Sequence, residues 1–158
     1  GVVESSAAGP LAGFPVVDFR VILYDGAYHT VDSSEIAFKI AGNLAFKAAM
    51  EHARPTLLEP IMHVSVETPE EYMGDIMGDL NSRRGRVQGM ESQGNSQTIR
   101  AQVPMSEMLS YSNTLKSITG GRGGYHMEVS HYEEVPAPIQ TKIIAEHKPH
   151  KTEGEEGS

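Results

Sequence analysis

The chain is predicted to belong to the α+β class, and three observations carry that prediction. Residues 57–135 contain four stretches in which apolar side chains alternate and two in which they recur at helical spacing, with turn or capping residues at the junctions. Before Arg54-Pro55 lies a separate alternating run followed by one long helical stripe. Beyond residue 145 the composition turns to Lys, His, Glu and Gly, which cannot bury enough apolar surface to order a chain.

Taking the elements in order, Val17, Phe19, Val21 and Leu23 alternate with Asp18, Arg20 and Ile22, which predicts a half-buried strand over 16–24, broken by Asp25-Gly26. Asp32 followed three residues later by Glu35 reads as a capping box. The helix it opens places Ile36, Ile40, Leu44 and Ala48 on one face, thickened by Ala37, Ala41 and Ala45. It should run to about His52, because the residue before Pro55 is pushed out of helical geometry. One strand cannot give that helix a full apolar partner, so residues 1–55 read as the latter part of a domain that begins further N-terminal. The opening residues start without Met, as a piece cut from a longer chain would.

A second unit is expected over 56–135. Met62, Val64 and Val66 alternate with His63 and Ser65, and Thr68, Pro69 and Glu71 are spaced as N-cap, first helical position and capping-box partner. Met73, Ile76, Met77 and Leu80 continue as a helical stripe that ends near Arg83 to Gly85. Gly74 and Gly78 inside that helix each cost about 1 kcal/mol relative to Ala, so a close backbone approach to the sheet or to an outside partner is expected there. Val87 to Glu91 and Ile99, Ala101 and Val103 read as a hairpin turning at Gly94-Asn95. After Pro104 a second helix lines up Met108, Tyr111, Leu115 and Ile118 and stops at Gly120-Gly121, and a last strand turns Tyr125, Met127 and Val129 inward. The order strand, helix, strand, strand, helix, strand is the split arrangement of ferredoxin-like domains, with both helices on one sheet face. Residues 136–158 read as a short extension, amphipathic at Ile139 to Ile144 and disordered from Glu146.

Hydrophobic residues at 39% and charged residues at 22% suit a folded soluble protein. No apolar run of about 18 residues and no basic-then-apolar leader occur, so no membrane is expected and the chain reads as cytosolic. The absence of cysteine excludes disulfides, thiol chemistry and thiolate metal sites. A net charge of −8 weighs against nucleic acid, but residues 128–158 carry three basic and seven acidic side chains, which is half of the excess. Arg83, Arg84 and Arg86 cluster beside Gly85, either as a local positive spot or as the cations of a helix C-terminus.

The seven histidines do not make a metal set. His126 and His131 are five apart on a strand and face opposite sides, His52 and His63 belong to different units, and His147 and His150 fall in the tail. No serine sits in a G-x-S-x-G elbow. Gly120-Gly121-Arg122-Gly123-Gly124 lacks the Lys and Ser/Thr of a phosphate loop, and no G-x-x-x-x-G-K-[ST] occurs, so the chain itself is not expected to be an enzyme or to hold a cofactor.

The run Gly9-Pro10-Leu11-Ala12-Gly13-Phe14-Pro15-Val16-Val17-Asp18, with Tyr24-Asp25-Gly26-Ala27-Tyr28-His29 and Val31-Asp32-Ser33-Ser34-Glu35, resembles the fourth domain of bacterial elongation factor G. Arg54-Pro55-Thr56-Leu57-Leu58-Glu59-Pro60-Ile61-Met62, Gly74-Asp75, Gly78-Asp79-Leu80, Arg83-Arg84-Gly85, Val103-Pro104, Glu107-Met108 and Tyr111 resemble its fifth domain. The resemblance covers about residues 9–135. It implies a truncated β-α part of domain IV, of the ribosomal-protein-S5-domain-2-like fold, followed by a ferredoxin-like domain V. The family's GTPase domain with its GTP and Mg, its β-barrel domain, its third domain and the start of its fourth would precede Gly1. The parent would be a cytoplasmic, monomeric factor that promotes GTP-dependent translocation of tRNA and mRNA on the ribosome.

The same resemblance implies the site residues. His29 matches the domain IV tip that approaches the codon–anticodon helix in the decoding site of the small subunit, and an imidazole there can donate to a phosphate or stack on a base without being charged. Asp25 and Gly26 would shape the tip with Tyr28 packed beneath, while Ser33 and Ser34 open the helix that follows, where hydroxyls and free amides suit a phosphate. Domain V would face the sarcin–ricin loop and stalk base of the large subunit. Ser106 and Glu107 at the start of the second helix, and the forked donors Arg83, Arg84 and Arg86, are its candidate RNA contacts. Two alternatives stand beside this reading: a free-standing ferredoxin-like module binding a ligand or partner, and a paralogue acting in ribosome recycling.

Overall fold

The structure, a computed structural model, describes residues 1–147. In chain order its elements are α1 (Val2–Ser6), α2 (Glu35–Ala53), β1 (Leu58–Pro69), α3 (Met73–Ser82), β2 (Arg86–Gln93), β3 (Ser96–Pro104), α4 (Tyr111–Thr119), β4 (Gly124–Glu134) and α5 (Ala137–His147). Short 3-10 turns, Glu70–Tyr72 and Met105–Glu107, precede α3 and α4. Two compact units result: Leu58–Glu134, and residues 1–57 together with 135–147.

In Leu58–Glu134 the alternating runs pair into one antiparallel sheet of order β2-β3-β1-β4, the ferredoxin-like arrangement. Met62, Val64 and Val66 of β1 and Ile99, Ala101 and Val103 of β3 share one face and bury it against Ile76 and Leu80 of α3 and Tyr111 and Leu115 of α4. Each of the valine, leucine, isoleucine and methionine side chains contributes roughly 1.5–3 kcal/mol when removed from water, so this face carries the unit. The opposite face keeps the polar partners in the alternation, among them His63, Arg100 and His126.

Local departures from the expected elements have identifiable causes. Thr68 does not cap a helix: the β1–β3 ladder continues to Pro69 opposite Ser96, holding Thr68 in the sheet, and α3 starts only at Met73 without a side-chain cap. Val129, expected inward, is 59% exposed, on an edge strand where pairing slips between Met62–Val129 and Ile61–His131 and leaves Ser130 as the extra residue. Gly74 and Gly78 do not approach the sheet, since a Cβ on either would meet nothing within 4 Å.

The end of α3 is tight. The Gly85 N–H donates to the Leu80 carbonyl at 2.9 Å, and a Cβ on Gly85 would collide with that oxygen. Arg84, one residue earlier, has φ +58°, a left-handed conformation that costs an L-residue about 1–2 kcal/mol. Gly120 and Gly121 end α4 with φ +57° and +82°, which glycine adopts without strain.

In the other unit the strand expected over 16–24 does not form. A strand exists only by pairing, and none of the described residues of this unit forms a strand for it to pair with. Leu23 is 90% exposed, while Phe19 rests edge-on against Phe46 of α2 with ring centroids 5.4 Å apart. The N-cap of α2 is Ser34 rather than Asp32: the Ser34 hydroxyl accepts from the Ala37 N–H at 3.1 Å. Arg54 turns left-handed after Ala53 and ends the helix before Pro55.

The extension expected after 135 is ordered as α5 through His147 and is tied back by one side chain. Gln140 accepts from the Leu57 N–H at 3.3 Å and donates to the Thr56 hydroxyl and the Val135 carbonyl at 2.7 and 2.8 Å. Glu146 and His147 belong to this helix, and the rest of the expected disordered tail lies outside the described residues.

Candidate nucleic-acid interface

The tip candidates lie between the unpaired strip and α2. The turn is made at Thr30–Asp32 and closed by a reciprocal pair: the His29 N–H donates to the Ser33 hydroxyl at 2.7 Å, and the Ser33 N–H donates to the His29 carbonyl at 2.9 Å. Asp25 and Gly26 do not make a left-handed turn; the Asp25 carboxylate simply accepts from the Gly26 N–H at 2.8 Å. Tyr28 does not pack beneath the loop, being 70% exposed beside an exposed His29. Ser33 and Ser34 both accept from the backbone, which leaves each O–H free to point outward as a donor.

The candidates of the sheet unit are brought together, with roles different from those their sequence suggests. Arg83 gives Nε to Asp79 at 2.8 Å, Nη2 to the Thr114 hydroxyl at 2.9 Å and Nη1 to the Glu107 carbonyl at 2.5 Å, with its guanidinium 5.2 Å from the Tyr111 ring centroid. Arg84 donates Nη1 and Nη2 to the two carboxylate oxygens of Glu59 at 2.6 and 3.0 Å. Hydrogen bonding to Glu59 raises its guanidinium above the ordinary value, against the opposing effect of partial burial. These two forks are therefore committed inside the protein rather than open to phosphate. Arg86 is more exposed and binds Glu133 at 2.7 Å. Ser106 and Glu107 lie in the 3-10 turn before α4, not at the helix start, with Ser106 exposed.

Glu59, Asp79 and Thr114 are not among the residues that sequence reasoning singles out. For Glu59 a signal is present: a carboxylate between Leu58 and Pro60 in an apolar strand needs a cation, and an Arg pair follows in the same unit. Thr114 offers none.

The glycine-rich run does not fit a nucleotide. Gly120 and Gly121 stop α4, the Gly123 N–H donates to the Thr119 hydroxyl at 2.9 Å, and Arg122 is taken by Glu71 at 2.9 Å and by the Tyr72 hydroxyl. A concavity of about 390 Å³ is lined by the consecutive residues Ile22 to Ala27 of the unpaired strip rather than by converging side chains. No helix among the described residues is long and apolar enough to cross a membrane.

Residues 1–54 match the family described as elongation factor G, domain IV, and residues 56–143 match the family described as elongation factor G C-terminus. The chain belongs to the elongation factor G family. Elongation factor G of Aquifex pyrophilus is 60% identical over 146 residues, covering 92% of this chain and 21% of that protein. A crystal structure of a protein from Thermus thermophilus superposes with a TM-score of 0.83 at 48% identity, over 92% of this chain and 22% of that one. The chain thus spans about a fifth of the length of the elongation factor G it matches.

Proposed function

We propose that this chain is the ribosome-facing C-terminal portion of a translocase, whose longer parent couples GTP hydrolysis to the movement of tRNA and mRNA in the cytoplasm. The observation that carries the reading is the exposed Tyr28–His29 pair on a pinned turn, inside the segment that matches elongation factor G domain IV. A turn held by its own backbone and Ser33 keeps its outward side chains in place, so an aromatic ring and an imidazole can stack on bases or donate to phosphate with little ordering cost. The Ser33 and Ser34 hydroxyls, which only accept within the chain, add donors. This tip meets the codon–anticodon helix in the decoding site of the small subunit.

The sheet unit faces the sarcin–ricin loop and stalk base of the large subunit through the turn that carries Ser106 and Glu107, with Arg86 supplying the accessible guanidinium. Arg83 and Arg84 support this surface from behind. GTP and Mg belong to the parent's GTPase domain, and the chain acts as a monomer. Cosedimentation of the chain with purified bacterial ribosomes tests the reading. Binding that weakens steeply as salt rises is expected, because displaced counterions drive contacts to RNA. No binding at low salt would reject it, as would saturable GTP binding to the chain alone by calorimetry.

A further inference from the structure

Arg84 occupies a position where glycine would serve the backbone better. Its φ of +58° is left-handed, at the residue after a helix end where glycine is the usual occupant, and the following Gly85 closes the turn on Leu80. A strained L-residue persists where its side chain is needed. The side chain here joins three segments. It grips Glu59 of β1 through two hydrogen bonds and extends Nε toward the Glu107 carboxylate and Nη2 toward the Ser106 hydroxyl, both at 3.4 Å. Arg83 holds the main chain of the same turn through the Glu107 carbonyl, and is itself anchored to Asp79 of α3 and Thr114 of α4.

We infer that Glu59 and Arg84 are positioning residues that set the Met105–Glu107 turn for contact with RNA, a role resting on the ribosome-facing reading above. Neither touches RNA in this role. The planar fork of Arg84 fixes direction as well as distance, because both oxygens of one carboxylate are engaged at once. Glu59 is buried and only 25% of the Arg84 side chain is exposed, so salt screens the pair less than it would a surface pair. With the turn set in advance, the exposed Ser106 hydroxyl meets its partner without an ordering cost at the moment of binding.

The double substitution Glu59→Gln with Arg84→Gly decides the matter. Glycine relieves the left-handed backbone and the amide leaves no buried charge unpaired, so the melting temperature of the chain is expected to stay close to that of wild type. Amide hydrogen exchange at Met108, whose N–H closes the turn on the Met105 carbonyl, is expected to quicken about tenfold, reflecting easier local opening. Binding to purified bacterial large ribosomal subunits is expected to weaken by about the same factor, and Ser106→Ala added to the double variant should cost little more. Arg84→Lys with Glu59 intact, which keeps the charge but not the fork, should restore part of both. Unchanged exchange in the double variant overturns the brace. Faster exchange with undiminished subunit binding overturns its positioning role. Failure of the wild-type chain to bind subunits at all instead rejects the ribosome-facing reading, and exchange still decides whether the brace exists.

Discussion

Glu59 and Glu133 stand directly opposite each other across the β1–β4 ladder, and each carboxylate has its own arginine, Arg84 for the first and Arg86 for the second. Like charges facing across a ladder are destabilising, so the cluster at 83–86 supplies the countercharge for this end of the sheet.

The Glu133 end of this arrangement is pH-sensitive in a defined direction. A hydrogen bond with His131, then one from Arg86, holds the Glu133 carboxyl below its ordinary value of 4.5. A group with a lowered folded-state pKa adds stability above its unfolded value and loses it as pH falls through the folded value. The melting-temperature difference between wild type and Glu133→Gln is therefore expected to be level above about pH 5 and to shrink as the pH falls further. It should be small throughout, because the carboxylate is partly exposed. Thermal melts across an acid series read it directly, and a difference that widened on acidification would contradict the assignment.

Tyr111 carries a hydroxyl that the core does not use. The residue is fully buried, its hydroxyl has no hydrogen-bond partner among the described residues, and burial raises its ionisation well above the ordinary range. The ring meets Tyr125 edge-on at 5.0 Å and lies against Arg83, contacts that phenylalanine would keep. Tyr111→Phe is expected to stabilise the chain by about 1 kcal/mol, the cost of an unsatisfied buried group. A lower melting temperature in the variant would show that the hydroxyl has a partner.

Three glycines in and after α3 should respond in opposite directions to alanine. Gly74 and Gly78 have open space where a Cβ would go, so each alanine is expected to add roughly 0.5–1 kcal/mol through helix propensity. At Gly85 a Cβ would strike the Leu80 carbonyl and press on Val103, so Gly85→Ala is expected to cost about 2 kcal/mol or more. Denaturant midpoints of the three variants provide the comparison, and a destabilised Gly74→Ala would mean that the α3 surface is not open.

The sheet unit is legible in the sequence because each of its patterns has a partner within the same segment: Val64 and Val66 find Ala101 and Ile99 in the ladder, and the two stripes find that face. The 16–24 run is equally periodic, but periodicity reports which side chains share a face, not whether a neighbour exists to pair with. Asp32 and Thr68 fail as caps for a related reason. Either could start a helix by spacing, but Ser34 lies nearer to the first turn of α2 and the ladder claims Thr68. In the candidate site, the exposed location of His29 can be read from sequence. The commitment of Arg83 and Arg84 cannot, since their acceptors are 22 or more residues away except for Asp79.

His29→Ala in the full-length factor should separate function from stability. The side chain is exposed on a turn closed by backbone atoms and Ser33, so few packing contacts are lost and melting should change little. Ribosome-stimulated GTP hydrolysis should persist, while translocation slows by roughly ten- to a hundredfold, the effect of about 1–3 kcal/mol on the barrier. Single-turnover measurements of both activities check it; equal loss of the two, or unchanged translocation, would refute the tip assignment.

The left-handed turn at Arg84 also constrains how this stretch can drift. Glycine or asparagine answers the backbone but abandons Glu59, and lysine answers the charge but not the fork. A neutral residue at 84 alone strands a buried carboxylate, whereas a neutral residue at 59 alone leaves a strained arginine without its acceptor. The two positions are thus expected to vary as one character, so that a glycine at 84 would be accompanied by a neutral residue at 59.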